Sequence, residues 1–155
     1  MNDAFAIRNE HYVHLTRESF GRQTFMGTLG AELVRIAPGE VDIALPYSSA
    51  LCQQNGYMHA GTLTSIADSA NGYAAFTLFP PETDVLAVEF KISLLAPAKA
   101  PRFLATGRVI RPGRTLTVCQ ADVFGVTEGG RVLLATMLST LIARPAAQLS
   151  PKATA

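Results

Sequence analysis

The sequence has no tryptophan, two cysteines and three histidines among 155 residues. Two cysteines are too few to cross-link a small secreted fold, and Cys52 and Cys119 lack the spacing of a metal site. The histidines at positions 11, 14 and 59 do not form a ligand pattern either. We therefore expect a protein of a reducing compartment, the cytoplasm, with no metal site.

Strong net charge and long apolar runs are also absent. The net charge is +1, so the basic excess that nucleic acid binding requires is missing. No stretch approaches the ~18 uncharged apolar residues of a membrane-spanning helix, and the N-terminus lacks the apolar block of a signal peptide. With 48% hydrophobic residues, the chain is too apolar to be disordered. These properties predict one domain with a single core, and neither nucleic acid nor membrane as partner.

Charge is unevenly distributed along the chain. Residues 29–84 contain one basic and six acidic residues, whereas residues 85–131 contain seven basic and three acidic ones. A basic segment of this kind is typical either of a solvated sheet face or of a binding site for a small polyanion such as a coenzyme. The composition leaves both interpretations open.

Turn residues divide the first part of the chain into short elements. Residues 1–26 form an N-terminal segment with a predicted helix over 13–23. Alternating apolar residues over 29–37 and 41–45 flank the turn at Pro38–Gly39 and predict a β-hairpin.

A long stretch over residues 58–78 has apolar residues at three- and four-residue steps, which predicts a helix that ends before two prolines. Its many small side chains predict that it is buried, with other backbone passing close to it. Four apolar runs follow, over 85–95, 102–109, 116–126 and 132–143, and we expect them to form an antiparallel meander. The order of elements predicts an α+β domain over residues 27–144, with the sheet wrapped against one helix, and a disordered tail over 145–155.

The start of this helix is chemically the most informative part of the sequence, QQNGYMHAGTLTSIAD over residues 53–68. The first N–H groups of a helix lack intrahelical acceptors, and the helix dipole favours negative charge beside them. Ala60 and Gly61 place no bulky side chain there. A carbonyl oxygen that gains charge during acyl transfer would be stabilised at this position, as in an oxyanion hole.

Asp68 lies nine positions after His59, among apolar neighbours. Burial of a lone carboxylate is costly unless it is paired or hydrogen-bonded. The residues alone allow a solvated acid near the helix start, a buried ion pair with an arginine, or a catalytic group.

Taken together, these residues resemble the hotdog-fold acyl-CoA thioesterases, in particular the phenylacetate-degradation type. In that family the helix start reads Asn or Gln, then Gly, then His-Gly-Gly, with an acid on the same helix. Here the corresponding residues are Gln53, Gly56, His59-Ala60-Gly61 and Asp68. The segments VEFKISLLAPA over 88–98 and GRVIRPGRTLT over 107–117 are similar as well, and the resemblance covers residues 27–143.

The resemblance implies a hotdog fold, which is a curved antiparallel sheet around one central helix, and a homodimer that pairs into a homotetramer with active sites between subunits. It implies that Asp68 is the catalytic base or nucleophile, and that the N–H of Ala60 or Gly61 polarises the thioester oxygen. Gln53 would position the thioester or water, and His59 would order the helix start. Two positions depart from the family: Ala60 replaces the first glycine of His-Gly-Gly, and Ala87 stands where some relatives have a Ser or Thr that holds the water.

The implied reaction is hydrolysis of an acyl-CoA thioester to free acid and CoA, with no cofactor beyond the substrate itself. Candidate substrate-binding residues are Asn55 and Tyr57 near the helix start, and Lys91, Arg111 and Arg114 for the CoA phosphates. Two alternatives stay open: an enoyl-CoA hydratase or dehydratase of the same fold, and a non-catalytic acyl-CoA binding module.

Overall fold

The computed structural model describes residues 5–149. Its regular elements are α1 (Tyr12–Arg22), α2 (Thr24–Leu29), β1 (Glu32–Ala37), β2 (Glu40–Pro46), α3 (Ala60–Phe76), β3 (Thr83–Leu94), β4 (Arg102–Arg111), β5 (Leu116–Thr127) and β6 (Gly130–Pro145). Short 3-10 turns cover Ser49–Leu51 and Ala146–Gln148. The predicted hairpin is β1–β2 and the predicted long helix is α3.

The six strands form one antiparallel sheet in the order β1-β2-β4-β5-β6-β3. The helix α3 packs against β2, β3, β4, β5 and β6, so the sheet wraps around it. This arrangement confirms the predicted α+β architecture, the hotdog fold.

The prediction of a four-stranded meander is wrong for the position of β3. β4, β5 and β6 follow one another as a meander, but β3 pairs with β6 at the far edge of the sheet instead of with β4. The connection over residues 95–101 contains Pro97 and Pro101 and is too long for a tight turn. It passes the start of α3, where the N–H of Met58 donates to the carbonyl of Ala98 at 2.9 Å. This connection places β3 beside α3 at an edge of the sheet.

The helix α3 is buried against the sheet because its packed face carries small side chains. Ile66, Ala67, Ala70 and Ala74 have no solvent exposure. A Cβ atom added at Gly107 of β4 would lie 2.4 Å from the carbonyl oxygen of Ala70. The prediction that other backbone passes close to this helix is therefore confirmed.

Strand β3 has one free edge within residues 5–149, because it is the last strand of the sheet and pairs only with β6 there. Leu86, Val88, Phe90 and Leu94 on this strand are 44–54% exposed. An unpaired edge with exposed apolar side chains is suited to pairing with another strand.

The terminal segments differ from the predicted boundaries. The predicted boundary at residue 27 falls inside α2, and the predicted tail begins at Pro145, which ends β6. Residues 150–155 of that tail lie outside the described residues. No helix within residues 5–149 is long and apolar enough to cross a membrane.

Candidate active site

The loop before α3 is closed by its own backbone. The N–H of Gln53 donates to the carbonyl of Tyr57 at 2.9 Å, and the N–H of Gly56 donates to the carbonyl of Gln53 at 3.0 Å. Gly56 has φ +81°, a conformation that glycine adopts without steric cost. The N–H of His59 donates to the carbonyl of Leu51 at 2.9 Å. These bonds fix the direction in which α3 begins.

His59 is the N-cap of α3. Its backbone is extended, and its Nδ1 atom accepts a hydrogen bond from the N–H of Gly61 at 2.8 Å. The carbonyl of His59 accepts from Thr62 and Leu63. The N–H of Ala60 has no acceptor within residues 5–149. Of the two predicted oxyanion donors, the amide of Ala60 is therefore the available one.

A cleft of about 330 Å³ opens at the start of α3, and we call it the amide cleft. Gln53, Tyr57 and Ala60 line it together with Leu94 and the connection after β3. The carboxamide oxygen of Gln53 accepts from the backbone N–H of Asn55, and the NH₂ group of Gln53 has no partner within residues 5–149. The side chain of Asn55 itself does not line the cleft.

Asp68 lines a second cleft of about 340 Å³, which we call the carboxylate cleft. The Oδ1 atom of Asp68 is buried and lacks a hydrogen-bond partner in the described part of the chain. Burial raises the pKa of Asp68 above its usual range. None of the ion pairs formed within residues 5–149 involves Asp68. The carboxyl group is thus neither an arginine partner nor a fully solvated acid.

The walls of the carboxylate cleft come from four elements. The helix α1 and the residue that follows it contribute Ser19, Arg22 and Gln23, and the rest of the lining comes from α3, β3 and β6. Tyr73, one turn beyond Ser69 on α3, is buried with its hydroxyl 3.4 Å from Ser19 Oγ. Burial raises the pKa of Tyr73. The sequence did not predict Ser19, Arg22 and Gln23 as part of the site, because the N-terminal segment is separate from the start of α3 in sequence.

Within one chain, the predicted catalytic groups do not meet. Asp68 lies eight positions after Ala60 along α3, which corresponds to about 12 Å at 1.5 Å per residue. The amide cleft and the carboxylate cleft have no lining residue in common. A single thioester carbonyl group cannot contact both groups of the same chain.

The predicted phosphate-binding residues line neither cleft. Lys91 lies on the sheet face opposite to the packed residue Ile92, and its Nζ atom donates to the hydroxyl of Ser93. Arg111 and Arg114 are exposed at the turn between β4 and β5. This turn lies beside the residues that follow α3, roughly 25 Å from the start of that helix. Within residues 5–149, no three His, Cys, Asp or Glu side chains are close enough together to bind a metal ion.

The chain is similar to known proteins, some by sequence and some by fold. The sequence matches the thioesterase superfamily over residues 55–131. A thioesterase family protein from Silicibacter pomeroyi is 46% identical, with a TM-score of 0.83, over 85% of this chain and 97% of that one. The 1,4-dihydroxy-2-naphthoyl-CoA hydrolase of Listeria monocytogenes is 27% identical over 101 residues, which is 65% of this chain and 82% of that protein. The PaaI protein of the E. coli phenylacetic acid degradation operon shares the fold, with 18% identity and a TM-score of 0.76 over 90% of this chain and 96% of that one.

Proposed function

The chain belongs to the thioesterase superfamily, and on this premise we propose that it hydrolyses an acyl-CoA thioester to a free acid and CoA. The observation that carries this proposal is the half-buried carboxyl group of Asp68, which lines a cleft and has no partner for its Oδ1 atom. A carboxylate of this kind is available to accept a proton or to attack a carbonyl carbon. A CoA thioester as the substrate is supported by the name of the Listeria relative.

We further propose that two copies of the chain form the active site by antiparallel pairing of their β3 edges. Val85 and Ala87 at the beginning of β3 line the carboxylate cleft, whereas Leu94 at its end lines the amide cleft. A two-fold axis between paired strands places the beginning of one β3 beside the end of the other. The same operation brings Asp68 of one copy towards Ala60 of the second copy. The exposed apolar residues of β3 would be buried in this dimer, and pairing of dimers into a tetramer stays a prediction.

In this dimer the thioester carbonyl group would lie between the two copies. The N–H of Ala60 would donate to the carbonyl oxygen, which becomes negatively charged as the carbon is attacked. Asp68 would accept a proton from water while the water oxygen bonds to that carbon. The C–S bond then breaks, and the proton passes to the leaving thiolate of CoA. Direct attack by the carboxylate, followed by hydrolysis of the anhydride, gives the same products.

The two-fold axis also suggests which basic residues meet the nucleotide end of CoA. The two α3 helices would run in opposite directions. The C-terminal end of α3 in one copy would therefore lie on the same side of the dimer as the amide cleft of the second copy. Arg111 and Arg114, at the turn beside that end, would then be available for the CoA phosphates. Lys91 is on the opposite face of the sheet and is not part of this proposal.

The proposal is tested by measuring thiol release from a panel of aryl-, short- and medium-chain CoA thioesters, with Asp68→Asn as the matched variant. We expect release from at least one thioester and a kcat lower by roughly 10²- to 10⁴-fold in Asp68→Asn, with an unchanged circular dichroism spectrum. Wild-type rates in the variant would overturn the mechanism. Hydration of an enoyl-CoA without thiol release, or tight binding of acyl-CoA without turnover, would replace the function with one of the two alternatives.

A further inference from the structure

Gln23 joins the two N-terminal helices and reaches the carboxylate cleft. Its N–H donates to the carbonyl of Phe20 at the end of α1, and its carbonyl accepts from Met26 and Gly27 at the beginning of α2. The backbone of Gln23 is therefore held from both sides. Its side chain lines the cleft beside Asp68.

The exposed side chain of Gln23 contacts the residue that follows Asp68. The hydroxyl of Ser69, which is only 8% exposed, donates to the Oε1 atom of Gln23 at 3.4 Å. This contact occupies the acceptor end of the carboxamide. The NH₂ group, which can donate two hydrogen bonds, has no partner within residues 5–149.

Other polar groups around the cleft have partners of their own. Arg22, whose side chain is mostly exposed, donates one of its N–H groups to Glu18 at 2.9 Å. The hydroxyl of Tyr73 lies beside Ser19, and the carboxylate of Asp84 accepts from a backbone N–H. The wall formed by β3 and β6 consists of Val85, Ala87 and Leu141 besides Asp84, and these three side chains contain no hydrogen-bond donor.

An unsatisfied acceptor and a free donor therefore line the same cleft. Within residues 5–149, the buried Oδ1 of Asp68 has no donor, and the NH₂ group of Gln23, on an exposed side chain, has no protein acceptor. A water molecule that bridges two polar groups satisfies both of them. The attacking water of the proposed hydrolysis needs the same two contacts, one to the carboxylate that takes its proton and one that fixes its orientation.

We infer that Gln23 is a positioning residue, whose NH₂ group orients the water that Asp68 activates. This inference rests on the proposed hydrolysis of a thioester. It assigns the N-terminal helical segment a part in the reaction, because the junction of α1 and α2 holds this carboxamide in place.

The experiment compares Gln23→Leu, which removes the donor, with Gln23→Glu, which keeps the shape and the acceptor for Ser69 but replaces the NH₂ group by an oxygen of a negatively charged carboxylate. The control is Thr24→Ala, at an exposed neighbouring position that does not line the cleft. With the best thioester of the panel, we expect kcat to fall about 10- to 100-fold in both Gln23 variants, as for loss of a hydrogen bond to a charged site. KM should stay within about twofold, and Thr24→Ala should match the wild type.

Two further measurements separate positioning from a merely structural role. Removal of a donor that stabilises the charged carboxylate should move the acidic limb of the kcat/KM profile of Gln23→Leu to higher pH. The other ionisable groups facing the cleft, Arg22 from α1, Tyr73 from α3 and Asp84 from β3, are unchanged in this variant. Gln23→Leu should also have no added effect on the residual rate of Asp68→Asn, because both changes remove the same step.

The outcomes distinguish this inference from the function on which it rests. If Asp68→Asn is inactive while both Gln23 variants have the wild-type kcat, the role of Gln23 is wrong and the thioesterase proposal stands. If Asp68→Asn retains full activity, the proposed mechanism fails first. If Gln23→Leu does not fold, Gln23→Met, which is uncharged, similar in length and without a donor, decides: a wild-type kcat or a loss confined to KM would overturn the inference.

Discussion

The N–H of Gly61 donates to the Nδ1 atom of His59 at 2.8 Å, and this bond decides which amide can serve the reaction. A side-chain cap at the start of a helix satisfies one of its unpaired N–H groups. Here the cap takes up the N–H of Gly61, so the N–H of Ala60 is the one left for a ligand. His59 acts on the proposed site by shaping the helix start, since its Nδ1 lone pair is already engaged.

We predict that Ala60→Pro abolishes most of the activity while the protein stays folded. Proline at the first helical position removes the N–H and fits the helix, and His59, with ψ 139°, has the conformation that a following proline requires. Loss of one oxyanion donor lowers kcat by about 10²- to 10³-fold. The measurement is thiol release alongside thermal denaturation. Ala60→Gly, which keeps the N–H, is the control and should remain active; a fully active Ala60→Pro would show that this amide is not the oxyanion donor.

We predict that two inactive variants restore activity when their subunits are mixed. In a dimer of one Asp68→Asn chain and one Ala60→Pro chain, one site has both native groups and the other has neither. After denaturation and refolding of an equal mixture, half of the dimers are mixed, so about a quarter of the wild-type activity should return. Each variant refolded alone is the control. Failure to recover activity despite dimer formation would contradict a site shared between subunits.

We predict that Asp68→Asn is more stable than the wild type at neutral pH. Burial raises the pKa of Asp68, so the folded wild type binds this proton more tightly than the unfolded chain does. The wild-type chain therefore loses stability as pH rises through the folded-state pKa, whereas the variant does not. Urea unfolding should give a higher free energy of unfolding for the variant than for the wild type at pH 7. This difference should disappear below about pH 4, where the aspartate is protonated in both the folded and the unfolded state. An equal gain at both pH values would mean that ionisation is not its cause.

The same pKa shift sets the expected pH dependence of activity. Because the proposed reaction needs the carboxylate, kcat/KM should fall as pH drops through the pKa of Asp68. The midpoint of this acidic limb should lie above the usual aspartate value of about 3.9. A midpoint at or below that value would indicate that a different, less buried group controls the rate.

We predict that Arg111→Ala combined with Arg114→Ala weakens the use of CoA thioesters in particular. KM should rise about tenfold with a CoA thioester, as for the loss of charge-assisted hydrogen bonds. It should stay unchanged with the matching pantetheine thioester, which lacks the nucleotide phosphates. Arg131→Ala, at an exposed position near the start of β6, is the control. An equal rise in KM for both substrates would exclude a role in phosphate binding.

We predict that Gly107→Ala strongly destabilises the fold. The added Cβ would lie 2.4 Å from backbone atoms of α3, and backbone atoms of a helix cannot give way as the end of a flexible side chain can. Overpacking of this kind should cost about 3 kcal/mol or more, measured by urea unfolding. Gly27→Ala in α2, where a Cβ would contact nothing within 4 Å, is the control and should be neutral or slightly stabilising. A normal stability of Gly107→Ala would mean that the helix is not held this close to β4.

The sequence predicted the helix α3 and the hairpin because both depend on local signals. Helical spacing and small residues over 58–78 identified the buried helix, and Pro38–Gly39 identified the turn. The place of β3 was not predictable in this way. Strand order depends on which edges pair across the sheet, and the two prolines after β3 signal only that a tight hairpin is absent.

The candidate site was predictable only in part for the same reason. The cap at His59 and the isolated acid at Asp68 are features of one continuous segment, and the structure shows both. Gln23 lies far from that segment in sequence, and nothing in its local composition indicates that it reaches Ser69. Arg111 and Arg114 are predicted as phosphate-binding residues because of their charge. They lie near the end of α3, so the length of this helix separates them from the cleft at its start.

The separation of the two clefts along α3 has a consequence for the behaviour of the protein in dilute solution. If each site is shared between two chains, a single chain holds both reactive groups but cannot bring them to the same thioester bond. The turnover per chain should therefore decline when the protein is diluted below the dissociation constant of the dimer. It should recover when an inactive Asp68→Asn chain is added in excess, because that chain supplies the N–H of Ala60 to the wild-type chain.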